Sequence, residues 1–144
     1  VNYGKETYLV VRGSDKLGIT QEALVDFNLD NLPADAYIIS ASLSLYSGAR
    51  DHNAPTELRV YQLKRFWKEN EVNFNQASKQ DNWQESGATG DEDRVQEPLD
   101  SKIVDYTYNW VRFDVTKALR AWFSQPAAAS VAGRQVPGFI IQGF

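Results

Sequence analysis

The chain contains no cysteine and no methionine, and its one histidine is His52. Without cysteine there is no disulfide framework, no thiolate zinc site and no thiol nucleophile. The compartment stays open, because many bacterial exported domains also lack cysteine. A single imidazole leaves little for general acid–base chemistry, and no nucleophile elbow accompanies it. An excess of positive charge is missing too. The 15 Lys and Arg stand against 19 Asp and Glu, a net charge of −4. This argues against nucleic acid as a partner, since such binding relies on clustered cations. No apolar run approaches the ~20 residues needed to span a bilayer, and no signal peptide is visible.

What is present suits one soluble domain over residues 1–144, expected to belong to a longer multidomain protein. A chain of 144 residues buries roughly 70% of its extended surface and folds without a staple. Aromatic residues reach 12%, with four Trp and seven Tyr. Tyr and Trp combine an apolar body with a polar tip and serve both cores and binding surfaces.

The clearest local pattern lies in residues 38–46. Ile39, Ala41, Leu43 and Leu45 alternate with Ser40, Ser42 and Ser44, so the run reads as a strand with one buried face. Further strands are expected over residues 6–12, 22–29, 37–47, 57–65, 72–75, 103–108, 109–113 and 137–144. Pro33, in the polar turn after residue 29, cannot donate to a ladder. One helix opens at Asp114-Val115-Thr116, with Asp114 or Thr116 as its cap, and stops at Ser124-Gln125-Pro126. Val115, Leu119, Trp122 and Phe123 recur at helical spacing as its apolar face. Residues 76–108 are the least regular stretch. There is no internal repeat. The predicted fold class is all-β: an antiparallel jelly-roll β-sandwich with one short helix.

The pieces Asn2-Tyr3-Gly4, 23–27, Leu32-Pro33, 39–46, Val60-Tyr61, Trp67-Lys68-Glu69, Val72-Asn73-Phe74-Asn75, Phe113-Asp114-Val115-Thr116, Trp122 and Pro137-Gly138-Phe139-Ile140 together resemble the DNRLRE-type domains. These are also described as disaggregatase-related repeats and as carbohydrate-binding modules. The order of the pieces is kept across nearly the whole chain. The resemblance implies a jelly-roll sandwich in an extracellular or cell-surface microbial protein, beside polysaccharide-degrading domains or in adhesins, with an acidic or neutral polysaccharide as partner. The family normally adds one strand before the Asn-Tyr-Gly piece and one after the Gly-Phe piece. Their absence here leaves trimming, or strand exchange with neighbouring segments or subunits, as explanations.

In this setting the aromatic residues divide. Trp67 and Trp122 read as core residues, one at a framework corner and the other on the helix face. Trp83 sits in the polar run Lys79-Gln80-Asp81-Asn82-Trp83-Gln84 and is a candidate for stacking on a sugar ring. Tyr106, Tyr108 and Trp110 would share one face of a strand, with Val111, Phe113 and Val115 on the other. They form either a core stripe or an exposed sugar platform. Arg50, Asp51, His52 and Asn53 crowd one loop that could read hydroxyls or a uronate carboxylate, Arg50 and His52 foremost; a solvated turn is the alternative. Asp91, Glu92 and Asp93 could supply oxygen ligands to Ca²⁺, although EF-hand spacing is absent, and a mobile acidic loop is the other reading. Glu57, Glu69, Glu71 and Asp105 offer carboxylates, but no spacing singles out a glycosidase pair. The expected function is a non-catalytic carbohydrate-binding module. The alternatives are a structural or filament-forming surface domain without a small ligand, and an enzyme such as a lyase or glycosidase.

Overall fold

The computed structural model describes residues 1–14, 18, 20–33, 35–50, 54–124 and 135–144. Eight strands and one helix follow in order: β1 (Ala23–Val25), β2 (Ser42–Ser47), β3 (Thr56–Gln62), β4 (Gln76–Ser78), β5 (Asp81–Asn82), β6 (Asp100–Val104), β7 (Asn109–Asp114), α1 (Thr116–Phe123) and β8 (Phe139–Gly143). Every pairing is antiparallel. The main sheet has the order β1-β8-β3-β6, and β2 with β7 forms a separate two-stranded ribbon. The all-β architecture with one short helix is as predicted, and its pairings are compatible with a jelly roll.

The centre of the fold is the β3–β8 pair, which is covered on both faces. On one side, Val60, Phe139 and Ile141 meet Ala23, Leu43, Val104, Val111 and Phe113 and the helix residues Val115, Ala118, Leu119 and Phe123. On the other, Tyr61 and Ile140 meet Leu63, Val72, Ala77, Trp83 and Ala88. This is why Phe139-Ile140-Ile141 is apolar without alternation. A strand buried on both faces reads as a continuous hydrophobic run. The ribbon and helix make one outer layer, and the irregular segment after β3 makes the other.

The helix is fastened to the chain entering β2. Asp114 Oδ1 accepts the Thr116 N–H at 2.9 Å, so this carboxylate serves the helix start from one residue before Val115, the N-cap position. The Thr116 hydroxyl turns instead to Ala41, accepting its N–H at 2.9 Å and donating to its carbonyl. From the last turn, the Arg120 guanidinium donates to the carbonyls of Ile38 and Ile39, both at 2.9 Å. Those contacts occupy the backbone that the alternation had assigned to a longer strand. The strand therefore begins at Ser42, and Ile39 is exposed.

Two other predicted strands do not form. Residues 6–11 make no ladder; only Arg12 bridges, to Gln21. Their β-branched and aromatic composition suits a half-buried pleated surface, yet Tyr8, Leu9 and Val10 are exposed and have no sheet to lie on. Residues 72–75 turn rather than extend, because Asn73 Oδ1 accepts the Asn75 N–H at 2.9 Å, a side-chain substitute for a ladder bond.

The irregular segment is held by one buried carboxylate. Asp93 is completely buried. Its Oδ1 accepts the Gln84 N–H and the Arg65 Nε–H, each at 2.9 Å, and its Oδ2 accepts the N–H groups of Glu85 and Gly90 at 3.0 and 3.2 Å. Arg65 also reaches Asp81 at 2.9 Å, tying β5 to the same centre. Nearby, the Arg94 guanidinium lies 3.8 Å from the Tyr61 ring centroid and donates to Gln142. The Gln142 amide in turn donates to Glu22 at 2.7 Å. Burial alone would raise the Asp93 pKa, but the backbone donors and the guanidinium outweigh it and hold the carboxyl below its ordinary value.

A folded-state pKa below the unfolded value means that the stabilisation from Asp93 is present at neutral pH and is lost as pH falls through the folded value. Replacing Asp93 with Asn places an amide N–H₂ against donors and leaves Arg65 without its buried counter-charge. D93N is expected to lose about 3–5 kcal/mol at pH 7 and to show a flatter decline in stability towards acid than the wild type. Urea denaturation followed by circular dichroism at a series of pH values checks both.

Candidate carbohydrate-binding face

The β2–β7 ribbon sorts its side chains by alternation. In β7, Val111 and Phe113 point into the core, so Trp110, Arg112 and Asp114 point out. In β2, Leu43 is buried and Leu45 half-buried, while Ser42, Ser44 and Tyr46 are exposed. The register then places Tyr46 opposite Trp110, Ser44 opposite Arg112 and Ser42 opposite Asp114. Directly opposed residues share a face and touch. Tyr46 and Trp110 do so as an edge-on pair, with ring centroids 5.4 Å apart and planes at 70°. Such T-shaped contacts suit the ring quadrupoles. They hold two large rings in place at the surface while leaving Trp110 62% and Tyr46 56% exposed.

The short turn between β6 and β7 brings two more aromatics to the same end of the ribbon. Tyr106 and Tyr108 are both exposed. Tyr108 adopts φ +54°, a left-handed conformation that costs roughly 1–2 kcal/mol for an L-residue. It does not extend the strand as the sequence spacing suggested; β7 begins only at Asn109. The Asn109 side chain accepts the Trp110 N–H at 2.8 Å, which squares the chain off into β7. Of the two readings open for Tyr106, Tyr108 and Trp110, the core stripe is overturned. Val111 and Phe113 fill the inner face and leave Trp110 outside.

Polar groups border the rings. Arg112 and Ser44 form the next cross-strand pair along the same face. At the far end, hydrogen bonding from Thr116 holds the Asp114 carboxyl below its ordinary value, so the face ends in a carboxylate. Arg50 is half-buried, and its Nη1 donates to the Val104 carbonyl at 3.5 Å, immediately before the aromatic turn. Asp51, His52 and Asn53 lie outside the described residues.

One sequence-predicted assignment is corrected. Trp83 is not a surface ring. It is 6% exposed, packs in the second core with Val72, Ala77, Ala88 and Ile140, and donates from Nε1 to the Asn73 carbonyl at 2.9 Å. Its polar sequence neighbours are the solvent side of a layer whose apolar side comes from distant strands. The side chains of the acidic run Asp91-Glu92-Asp93 do not gather at one point. Asp91 and Glu92 are exposed, while both oxygens of Asp93 are taken by the donors described above. Among the described residues, no three His, Cys, Asp or Glu side chains gather in a way that could hold a metal ion. Trp67 and Trp122 are framework residues as expected. Trp67 donates to the Pro137 carbonyl at 2.8 Å, and Trp122 packs on Phe139.

Tyr46 and Arg112 were missed as site candidates from sequence. A signal existed for both: each stands out of phase with the buried residues of its strand. The pairing of β2 with β7, which sets Tyr46 opposite Trp110, carries no sequence signal.

An antiparallel β-fold with one exposed aromatic face and flanking hydrogen-bonding groups is a fold and surface suited to binding sugars. The model of carbohydrate-binding module family 96 matches residues 1–80, more than half of the chain, and the chain belongs to that family. The matched region contains Tyr46 and Arg50 and ends before Trp110. No curated protein and no solved structure matches the chain. Carbohydrate-binding module families are typically non-catalytic, which is compatible with the expectation that the chain is not an enzyme. No helix among the described residues is long and apolar enough to cross a membrane.

The two tryptophans should separate stability from surface. W83A is expected to cost about 3–5 kcal/mol, the range for emptying a large core side chain, whereas W110A should stay within about 1 kcal/mol of wild type. Chemical denaturation of both variants measures the difference.

Proposed function

We propose that the chain is a non-catalytic module of a secreted or cell-surface microbial protein that binds polysaccharide on the outer face of the β2–β7 ribbon. Trp110 supplies the principal stacking ring, and Tyr46 braces it edge-on. Tyr106 and Tyr108 extend the aromatic surface at the turn. Arg112, Ser44 and Arg50 supply hydrogen-bond donors for hydroxyl or carboxylate groups. The observation that carries the reading is the cross-strand Tyr46–Trp110 pair, two large rings held together and left in solvent. Large aromatic surface is normally buried, and an exposed contiguous patch marks a binding site. Family membership names the ligand class. The ordered likeness to DNRLRE-type domains supports the extracellular setting.

A polysaccharide microarray covering neutral and acidic polymers tests the reading. Wild type is expected to bind at least one polymer, and W110A to bind it at least about tenfold more weakly with an unchanged melting temperature. A folded wild type that binds none sinks the proposal.

One observation favours a second reading, strand completion. The ribbon contains only two strands among the described residues, and an unpaired edge is a template for a foreign strand. On that reading the protein assembles as its concentration rises, and light scattering reports it. A strictly monomeric protein up to millimolar concentration removes it.

A further inference from the structure

The two strands of the ribbon treat their outer edges differently. The Val115 N–H donates to the Ala41 carbonyl at 3.0 Å, and these two residues continue the register of β2 with β7. In an antiparallel ladder, bonded pairs alternate with unbonded ones. Leu43, Leu45 and Ser47 therefore direct their main-chain groups at β7, and Ser42, Ser44 and Tyr46 direct theirs away from it. On β7 the same alternation turns Trp110 and Asp114 away from β2, and side chains take up their groups. Asn109 Oδ1 accepts the Trp110 N–H at 2.8 Å, the Tyr106 hydroxyl donates to the Trp110 carbonyl at 3.5 Å, and Asp100 Oδ2 accepts the Asp114 N–H at 2.8 Å. On β2 nothing comparable happens. Among the described residues, no group bonds the outward N–H and C=O of Ser42, Ser44 or Tyr46.

An open edge is normally blunted by charge, proline or a bulge. Strand β6, an edge of the main sheet, carries Asp100 and Lys102, and Asp100 Oδ1 accepts the Ser101 N–H at 2.8 Å. Strand β2 is Ser42-Leu43-Ser44-Leu45-Tyr46-Ser47, six residues with no charge and no proline. Its pairing with β7 runs without a register shift.

We propose that β2 pairs with β2 of a second copy of the chain, antiparallel about a two-fold axis at Ser44. This contact is self-complementary, as a two-fold interface requires. Ser44 meets the partner's Ser44, and Ser42 meets the partner's Tyr46, so all three outward-directed residues are paired. A shift of two residues leaves one of them out, and a shift of one sets outward groups against inward ones. On the core side Leu43 falls opposite the partner's Leu45. No charged side chain enters the pairing, so no like charges meet. Two ribbons become one sheet in the order β7-β2-β2-β7. Opposed residues share a face, so the Tyr46–Trp110 pairs of both copies lie on the same outer surface. A polymer held by one pair then meets the other at raised effective concentration. The pairing names the edge, the occupant and the register of strand completion; it rests on that reading and not on sugar binding.

Sedimentation equilibrium of the whole chain, from micromolar to millimolar concentration, tests it. S44K sets two like charges opposite each other. S44P removes an outward N–H that the β7 ladder does not use. S101K, on the edge of β6, is the control, and melting temperatures confirm that each variant is folded. Wild type is expected to dimerise, S44K and S44P to dissociate at least about tenfold more readily, and S101K to match wild type. If S44P does not fold, S44K decides. The register is read separately, because the chain has no cysteine of its own. Paired Ser44 residues lie about 5.5 Å apart, within disulfide reach, whereas the two Ser42 residues are roughly 14 Å apart. Under oxidised glutathione, S44C should form the disulfide dimer at least about tenfold faster than S42C. A wild type that stays monomeric at millimolar concentration overturns the pairing and strand completion together. A dimer that S44K leaves unchanged overturns the pairing at β2 and leaves completion at another edge. Equal oxidation of S44C and S42C overturns the register. None of these results bears on polysaccharide binding, which the microarray decides.

Discussion

Everything in this protein depends on one strand pair whose two faces are both buried. Strands β3 and β8 run antiparallel through the middle of the main sheet, and their side chains alternate between two cores. On one side lie the ribbon and helix, on the other a layer with little regular structure. Each outer layer can be irregular or thin because its apolar groups are satisfied against this sheet. Removing water from Val60, Ile141, Tyr61 and Ile140 at once makes the sheet the largest single source of stability, since burial scales with apolar area removed from solvent.

The outer face of the ribbon follows from that arrangement. A two-stranded ribbon is marginal by itself. Here it is stable because Leu43, Val111 and Phe113 are pinned to the core. With the inner face committed, the pleat forces Tyr46, Trp110, Arg112 and Ser44 outward, and the register sets them in opposed pairs. The rings are thus presented on a rigid element and not on a mobile loop, which lowers the ordering cost of binding. The same rigidity appears in the second layer, where one buried carboxylate gathers three backbone donors and a guanidinium. An acidic residue there is a structural centre. Its charge is satisfied by the protein itself, and the exposed Glu92 beside it reaches the same Arg65 at 3.5 Å.

Much of this was readable from residue order. The alternation in residues 38–46 indicates a half-buried strand, residues 109–113 read as another, the apolar spacing from Val115 to Phe123 indicates an amphipathic helix, and the chain's overall class follows. Strands were overcalled wherever composition alone suggested them. Residues 6–11 have β-forming side chains but no partner strand, and residues 38, 39 and 41 are bonded to Thr116 and Arg120 of a helix far along the chain. The aromatic residues show the same boundary. Trp83, among polar neighbours, is a core anchor, whereas Trp110, beside Val111, is a surface ring.

By itself, the sequence determined the local periodicities, the absence of thiol and sulfur chemistry, the helix and its apolar face, and the all-β class, because these depend on neighbours within a few positions. Only the tertiary structure decided which tryptophan is buried, which carboxylate is already saturated, and which aromatic rings meet across strands. Those outcomes depend on residues far apart in the chain, where packing against a common sheet, and not local preference, selects the side that faces water.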